Sequence, residues 1–554
     1  MTPATRLRLP LAGVLRLGRP SDIWFKPALS VVAAVAPPNL LLLALGRLDL
    51  AMYTMAGSLC ALYAHNRPYA ARARALAWVV LGMVGGLAVS LLAASLTGDA
   101  VVLVTVGALM AAAQKAVCDA TRIGPPGNVV LTFITSASLF APQHLGQVPG
   151  HVGLALLAGA WAWLVGMAPG LLRPHGPERR ATAQALNAAA AYAATGGTGE
   201  GHAKARAATA AAVHAAWQSL LAPGVRPDHT RRALEQLLVR AEVALAAPAD
   251  TDPERLRAWA RDLRGTGRIP GVEAPRESAD ELLGVETERA VPRRPLRHLL
   301  APLAPLAART ALGSALAGYA TLALGVGRPY WALVTAASLY QANLTLTWRR
   351  SIQRVVGNLA GVLVFAAVVP LVHLHPAVLV LSCVAFNFGA EALIGRNYWL
   401  GTVCVTPMAL LITEFGRVQD PGSLITERVL DTLVGAVVGF VAAVAVTNRR
   451  TGDRLERTLA AADRAREDAA RLLAEPHPAP RALETARRAL AGALVDLRAT
   501  ADAAAGEWWQ RALPEERVVL TEQSGHRTLA ATVRRQGLAP SRQDTGRTTE
   551  DARP

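Results

Sequence analysis

The chain has 554 residues, 52% of them hydrophobic and 5% aromatic, with a mean hydropathy of +0.29 and a formal net charge of +17. Charge is spread too unevenly for a string of soluble domains: residues 1–173 and 297–447 carry 30 charged side chains over 324 positions, whereas the other 230 positions carry 67. A soluble surface needs roughly a quarter charged residues, so the two charge-poor blocks imply an all-α polytopic membrane protein. The +17 does not point to nucleic acid, because the charge-rich segments 174–296 and 448–554 contribute only +2 and +3 and the excess sits in short loops beside apolar runs.

In chain order, the first apolar run follows arginines, but it contains Pro37-Pro38 and no small-residue cleavage site, so it reads as a retained helix. Runs near 28–46, 50–64, 76–96, 100–114, 128–141 and 152–172 make one block. Runs near 308–325, 331–347, 355–372, 376–392, 398–413 and 429–447 make a second. About 12 transmembrane helices in two six-helix repeats are therefore expected. Several runs fall short of the ~20 residues that span a bilayer and must tilt, extend or sit inside the bundle. With the N-terminus in the cytoplasm, 17 arginines and lysines flank the inner side and four (Arg47, Arg328, Arg417, Arg428) the outer. Segments 174–296 and 448–536 then lie in the cytoplasm. The first reads as helices near 178–195, 202–222, 228–247 and 253–264, the second as a charged hairpin turning at Pro476–Pro480, and 537–554 as a disordered tail. Gly-rich 195–201 lacks the Gly-Lys-Ser/Thr ending of a phosphate loop and reads as a connecting turn. The four cysteines (Cys60, Cys118, Cys383, Cys404) lie in or at apolar runs without disulfide or zinc spacing.

Internal similarity carries the most information. Ala51 to Leu59 matches Ala332 to Leu339 apart from one inserted residue, and Arg74, Gly82 and Gly86 repeat the spacings of Arg349, Gly357 and Gly361. Six runs separate the copies, so they share one orientation. Within the second block, Arg328-Pro-Tyr330-Trp331 with Thr335 resembles Arg396-Asn-Tyr398-Trp399 with Thr402. Likewise Arg354, Gly357 and Gly361 resemble Arg428, Asp431 and Gly435. Three runs separate these, so the units are inverted, and nested inverted triplets are a transporter architecture with the substrate site between repeats. Interfacial aromatic belts and small-residue helix packing are the competing explanation.

Tyr330-Trp331-Ala-Leu-Val-Thr335, the Gln341/Asn343 stretch and Trp348-Arg-Arg-Ser-Ile-Gln-Arg354-Val-Val-Gly357-Asn358-Leu-Ala-Gly361 resemble the fusaric-acid-resistance, or aromatic acid exporter, family. The resemblance runs across 310–447, is weaker across 28–172 and does not reach the tail. Asn358 stands where the family's Arg-x-x-Gly-Thr pattern has threonine, and Asp431 where it has glycine before Thr432. The resemblance implies proton-driven export of organic acids, aromatic ones among them, across a bacterial inner membrane. Its distant likeness to plant malate channels leaves an anion channel open, and a non-transporting scaffold built on the cytoplasmic segments is the third alternative.

Buried ionisable groups in a membrane are functional candidates by default. Glu391 and Asp431 are the candidates for proton coupling; local pairing of Asp431 with Arg428 and solvation of Glu391 compete with that role, and Asp119 reads as solvated beside Lys115. Trp331, Thr335, Ser338, Gln341 and Asn343, with the counterpart Tyr398, Trp399, Thr402 and Thr406, are candidates for the substrate path. Thr335, Ser338 and Gln341 are expected on one helical face, while Pro407 would free a carbonyl toward a cavity. Arg349, Arg350 and Arg354 are candidates for an anion-collecting cytoplasmic mouth. Expected partners are a small organic anion, the bilayer and, in a homo-oligomer, a second copy. No nucleophile–base set, Walker loop, metal cluster or cofactor fingerprint is found, so neither an enzyme nor a cofactor is expected. His373 and His375 read as surface residues.

Overall fold

The computed structural model describes residues 11–18, 23–195, 199–222, 228–265, 267–271, 300, 303–416, 418–446, 451–507 and 514–536. Arg417, the Gly-rich 196–198 and the tail 537–554 lie outside them. The described residues are helical, with no strand among them.

The first block comprises α1 (Phe25–Ala44), α2 (Ala51–Ser58, prolonged as a 3-10 turn to Leu62), α3 (Tyr69–Leu96), α4 (Ala100–Thr121), α5 (Val129–Leu139) and α6 (Val148–Met167), closed by the single turn α7 (Pro169–Leu172). The second comprises α12 (Ala304–Ala323), α13 (Pro329–Leu339), α14 (Leu344–Val372), α15 (Pro376–Ile394), α16 (Tyr398–Glu414) and α17 (Pro421–Ala445). Caps and prolines set these boundaries. Asp420 accepts from Ser423 N at 2.7 Å ahead of Pro421, His375 caps α15 ahead of Pro376, and Asn343 Oδ1 accepts from Leu346 N at 2.9 Å.

Among the described residues, seven helices are long and apolar enough to cross a membrane, at 25–44, 69–96, 100–121, 145–172, 344–372, 376–394 and 421–445. The others expected as spans take a different form. α2, α5 and α13 are too short and α16 has 17 residues, while α12 has Arg309 buried in its second turn. The short helices sit inside the bundle: all 11 residues of α13 are buried, because α4, α5, α12 and α17 surround it. The long helices turn leucines outward, Leu157 at 70% and Leu363 at 72% exposure, a surface that water tolerates poorly and lipid accepts.

The same helix pairs meet in both blocks. α2 packs on α6 as α13 does on α17, α3 on α5 as α14 on α16, and α4 on α5 as α15 on α16. Between blocks, α1 meets α15 and α4 meets α12, a reciprocal exchange. Glycines sit at corresponding crossings: a Cβ on Gly86 would lie 2.7 Å from Thr135, and one on Gly361 2.6 Å from Thr406.

The expected span 331–347 is two elements. α13 stops at Leu339, Tyr340 is extended, and a new helix starts after Asn343. Gln341 therefore does not share a helical face with Thr335 and Ser338.

Outside the bundle, α8 (Gly176–Ala193), α9 (Glu200–Leu220), α10 (His229–Ala246) and α11 (Pro253–Arg264) enclose a core around Leu186, Trp217, Leu237 and Leu263. The segment expected as a hairpin holds three helices: α18 (Thr451–Ala474) and α19 (Pro480–Ala505) are joined by α20 (Glu515–Arg535), which packs on both. α19 also meets α9, and α20 meets α10.

Candidate functional site

Three helices of the second block converge on one asparagine. Asn358 is the fifteenth of 29 residues in α14, so it lies near the middle of the longest helix in the bundle. Its Oδ1 accepts from Thr406 Oγ1 of α16 at 2.6 Å and from Arg428 Nη2 of α17 at 3.1 Å, while its Nδ2 donates to Arg354 O at 3.1 Å. Arg354, one turn earlier, donates through Nη1 to Tyr398 Oη at 2.8 Å. The Arg350 guanidinium carbon lies 3.2 Å from the centroid of the same tyrosine ring, and that of Arg428 lies 5.1 Å from the Trp331 ring. In each short helix, an arginine of the crossing long helix thus reaches an aromatic residue of the first turn, an electrostatic attraction that strengthens away from water.

The close approach has a backbone cause. A Cβ on Gly357 would lie 2.6 Å from Thr402 Cβ, and one on Gly435 2.6 Å from Ala332 O and 2.8 Å from Thr335 Cβ. Only glycine lets α14 meet α16 and α17 meet α13 this closely. Pro407 has no N–H for the Val403 carbonyl one turn back, and that oxygen faces Gly361.

The charges are largely uncompensated. Arg354 is 3%, Arg428 2% and Asp431 0% exposed. Arg354 Nε, Arg428 Nε and Nη1, Trp331 Nε1 and both carboxylate oxygens of Asp431 make no hydrogen bond among the described residues. Arg328 is better served: its Nε lies 3.4 Å from Glu427 Oε2, it donates to Gln419, and its guanidinium carbon is 5.0 Å from the Trp331 ring centroid. Arg328, Arg350, Arg354 and Arg428 thus face only Glu427 and Asp431 in this region, a net positive centre edged by Trp331, Tyr330 and Tyr398. Leaving such groups unbonded costs about 1–3 kcal/mol each, more for charged ones, which favours an anion as the missing partner.

The other expected residues sort differently. Thr335 and Thr402 are buried at the glycine crossings, and Ser338 Oγ donates to Thr335 O at 2.8 Å. Gln341 and Asn343 fall in the α13–α14 break: Gln341 Nε2 reaches its neighbour's carbonyl, Tyr340 O, and Asn343 caps α14. Trp399 is engaged elsewhere, its Nε1 donating to Leu15 O at 3.2 Å while Asn397 Nδ2 holds Val14 O and Arg16 O. Of the arginines expected at a mouth, only Arg349 is exposed; Arg350 is half-buried and Arg354 lies inside. Arg428, counted as an outer flanking charge, is buried in the bundle. Glu391 is half-buried near the end of α15, within electrostatic reach of Tyr63. Asp119 pairs with Lys115 at 3.1 Å, both side chains partly buried rather than fully solvated.

Sequence reasoning missed Arg428, Asn358 and a second pair. His373 is exposed, as expected, yet its Nε2 sits 3.3 and 3.2 Å from the two oxygens of Glu414, whose side chain is 1% exposed. Asn358 carried a visible signal, because it departs from the family's threonine.

The site is not duplicated. Matching Gly82 and Gly86 to Gly357 and Gly361 puts Val79 opposite Arg354 and Met83 opposite Asn358. Only the second block holds the polar set. Residues 315–442 match the family described as fusaric acid resistance protein-like. All of the converging residues, from Arg328 to Asp431, fall within that match. No curated protein and no solved structure matches the chain.

Proposed function

We propose that this chain is a secondary transporter that exports small organic acids, aromatic ones among them, across the bacterial cytoplasmic membrane, probing no covalent chemistry on its cargo. One observation carries the reading: near mid-helix the buried Arg428 donates to Asn358, the buried Arg354 one turn before it donates to Tyr398, and the unbonded Asp431 lies one turn beyond Arg428. The match to a family of resistance proteins over this same segment supports export, and the helices able to cross a bilayer support a multi-pass membrane protein.

In this reading the substrate carboxylate takes the idle donors of Arg428 and Arg354, a charge-assisted contact, and its ring packs on Trp331 and Tyr398. Asp431 is the proton carrier. It takes a proton from the outer side as the emptied carrier resets and gives it up to the cytoplasm as cargo loads, so proton and anion cross in opposite directions and the inward proton gradient drives export. The paired contacts of the blocks support two six-helix repeats, and the excess of arginine at one end supports cytoplasmic termini. Rocking of the α13–α17 pair against the α14–α16 pair then opens the crevice to alternate sides.

The test is uptake of a radiolabelled aromatic carboxylate into everted vesicles, with and without an imposed proton gradient. The wild-type chain accumulates substrate only with the gradient, and Asp431→Asn retains counterflow exchange while losing accumulation. Wild-type flux that runs downhill at the same rate with or without the gradient replaces this reading by a channel.

A further inference from the structure

Away from the membrane bundle, α9 and α10 meet α19 and α20 around a cavity of about 90 Å³. Its floor is a polar chain. Trp217 Nε1 donates to Glu242 Oε1 at 2.7 Å, Arg487 donates to Glu242 Oε2, and the Arg488 guanidinium carbon lies 3.9 Å from the Trp217 ring centroid. Its walls are apolar, with Leu245 of α10, Leu494 of α19 and Leu529 of α20 among them. His526 also lines the space; burial and the nearby Arg206 push its pKa down to about 4, so it stays neutral at physiological pH.

Arg487 is the group that asks for a ligand. It is 3% exposed, yet its Nε and Nη2 make no hydrogen bond among the described residues. Glu242 is taken up by Arg487 Nη1, Trp217 and Arg488, and Glu484 forms an ion pair with Arg487 Nη2 at 3.9 Å that is too long for a hydrogen bond, so Nε and Nη2 keep their hydrogen-bonding capacity. Two idle donors of one guanidinium present the fork that a carboxylate fills bidentately. A water-sized probe needs about 10–15 Å³, so the cavity holds on the order of six to nine non-hydrogen atoms. That is the size of a short-chain or small cyclic monocarboxylate.

The cavity is also wired to the bundle. α19 carries Arg487 near one end and stops at Gly506, whose carbonyl accepts from Thr345 N at 3.1 Å and Thr345 Oγ1 at 2.9 Å in the first turn of α14. The nineteen residues between span about 28 Å of rigid helix, and Arg350 and Arg354 lie one and two turns or so further along α14. We propose that this cavity is a regulatory site for a small organic monocarboxylate held by Arg487, and that α19 carries its occupancy to the entrance of α14. The ligand class rests on the transport reading above; the site itself does not.

The experiment uses the full-length protein in nanodiscs, titrated with sodium butyrate and with sodium benzoate, reading tryptophan fluorescence and heat of binding. Trp217→Phe identifies the part of the signal that comes from the cavity. In the wild type, at least one of the two acids changes that signal saturably. Arg487→Gln weakens the change at least tenfold, and Arg428→Gln leaves it intact. Gly492→Met, at a lining position with open space around its α-carbon, fills the cavity without removing a charge and abolishes the change. A wild-type protein whose Trp217 signal responds to neither acid overturns the inference, as does an unaltered response in Gly492→Met. Transport without the Trp217 response refutes this site alone, and the response without transport refutes the transport reading alone.

Discussion

Replacing Arg428 by Gln tests the site most sharply among single changes. The substitution removes a cation that is 2% exposed and can keep a donor toward Asn358 Oδ1, now 3.1 Å from Nη2. Two consequences separate. Arg428 acts on Asp431 through space without an ion pair between them, so losing its charge destabilises by about 1–3 kcal/mol, less than breaking a buried pair. Losing a charge-assisted bond to the cargo costs about 1.5–3 kcal/mol, a fall of about 10- to 150-fold in transport efficiency at 1.4 kcal/mol per decade. The double variant Arg428→Gln/Asp431→Asn relieves the first effect and not the second. Thermal unfolding of the purified protein therefore recovers most of its lost stability in the double variant, while substrate flux into proteoliposomes stays at least tenfold down. Flux within twofold of wild type in the well-folded double variant refutes the argument that Arg428 receives the anion.

Other expectations follow from the same geometry. Gly361→Leu places a side chain where even a Cβ would lie 2.6 Å from Thr406; overpacking costs about 1–3 kcal/mol and is read as a lowered melting point with loss of flux, and an unchanged melting point contradicts the tight α14–α16 crossing. Glu414→Gln removes the carboxylate that His373 contacts from the end of α14, and the pH profile of transport shifts in this variant and in His373→Gln alike; profiles superimposable on the wild type dismiss the pair as a titrating element. His526 has its pKa lowered in the folded chain from 6.5 to about 4, so the unfolded chain binds the extra proton first as pH falls. Its contribution to the α10–α20 junction is complete above pH 6.5 and is lost as the pH drops toward 4. Limited proteolysis between α18 and α20 accelerates over that window in the wild type and much less in His526→Gln; equal acceleration in both removes the role of His526.

How far the sequence alone reached depended on whether a feature was local. The charge-free runs and their Pro, Asp and Asn boundaries placed nearly every helix, since caps and prolines act within a turn. The four helices α8 to α11 were legible to within a few residues for the same reason. The break at Tyr340–Asn343 was not, because it contains neither glycine nor proline and its polar residues mimic one face of a continued helix. Arg428 looked like a flanking charge because its burial comes from α14, some 70 residues away in the chain. Glu414 was invisible as a site residue for the same reason, since its partner His373 lies at the end of a helix distant in sequence, whereas Asn358 was marked only by its departure from the family's threonine. Arg354 and Arg428, paired in the inverted motif, each reach an aromatic residue in the first turn of a short helix, although these are Tyr398 and Trp331, which the motif does not pair.

The most direct test of the central claim is to locate the cargo itself. A bromobenzoate bound to the protein in a crystal gives an anomalous bromine peak. The peak is expected in the second block between Trp331 and Tyr398, with the carboxylate against Arg354 and Arg428. Ligand density confined to the surface or to the first block, with that crevice empty at saturating concentration, contradicts the account.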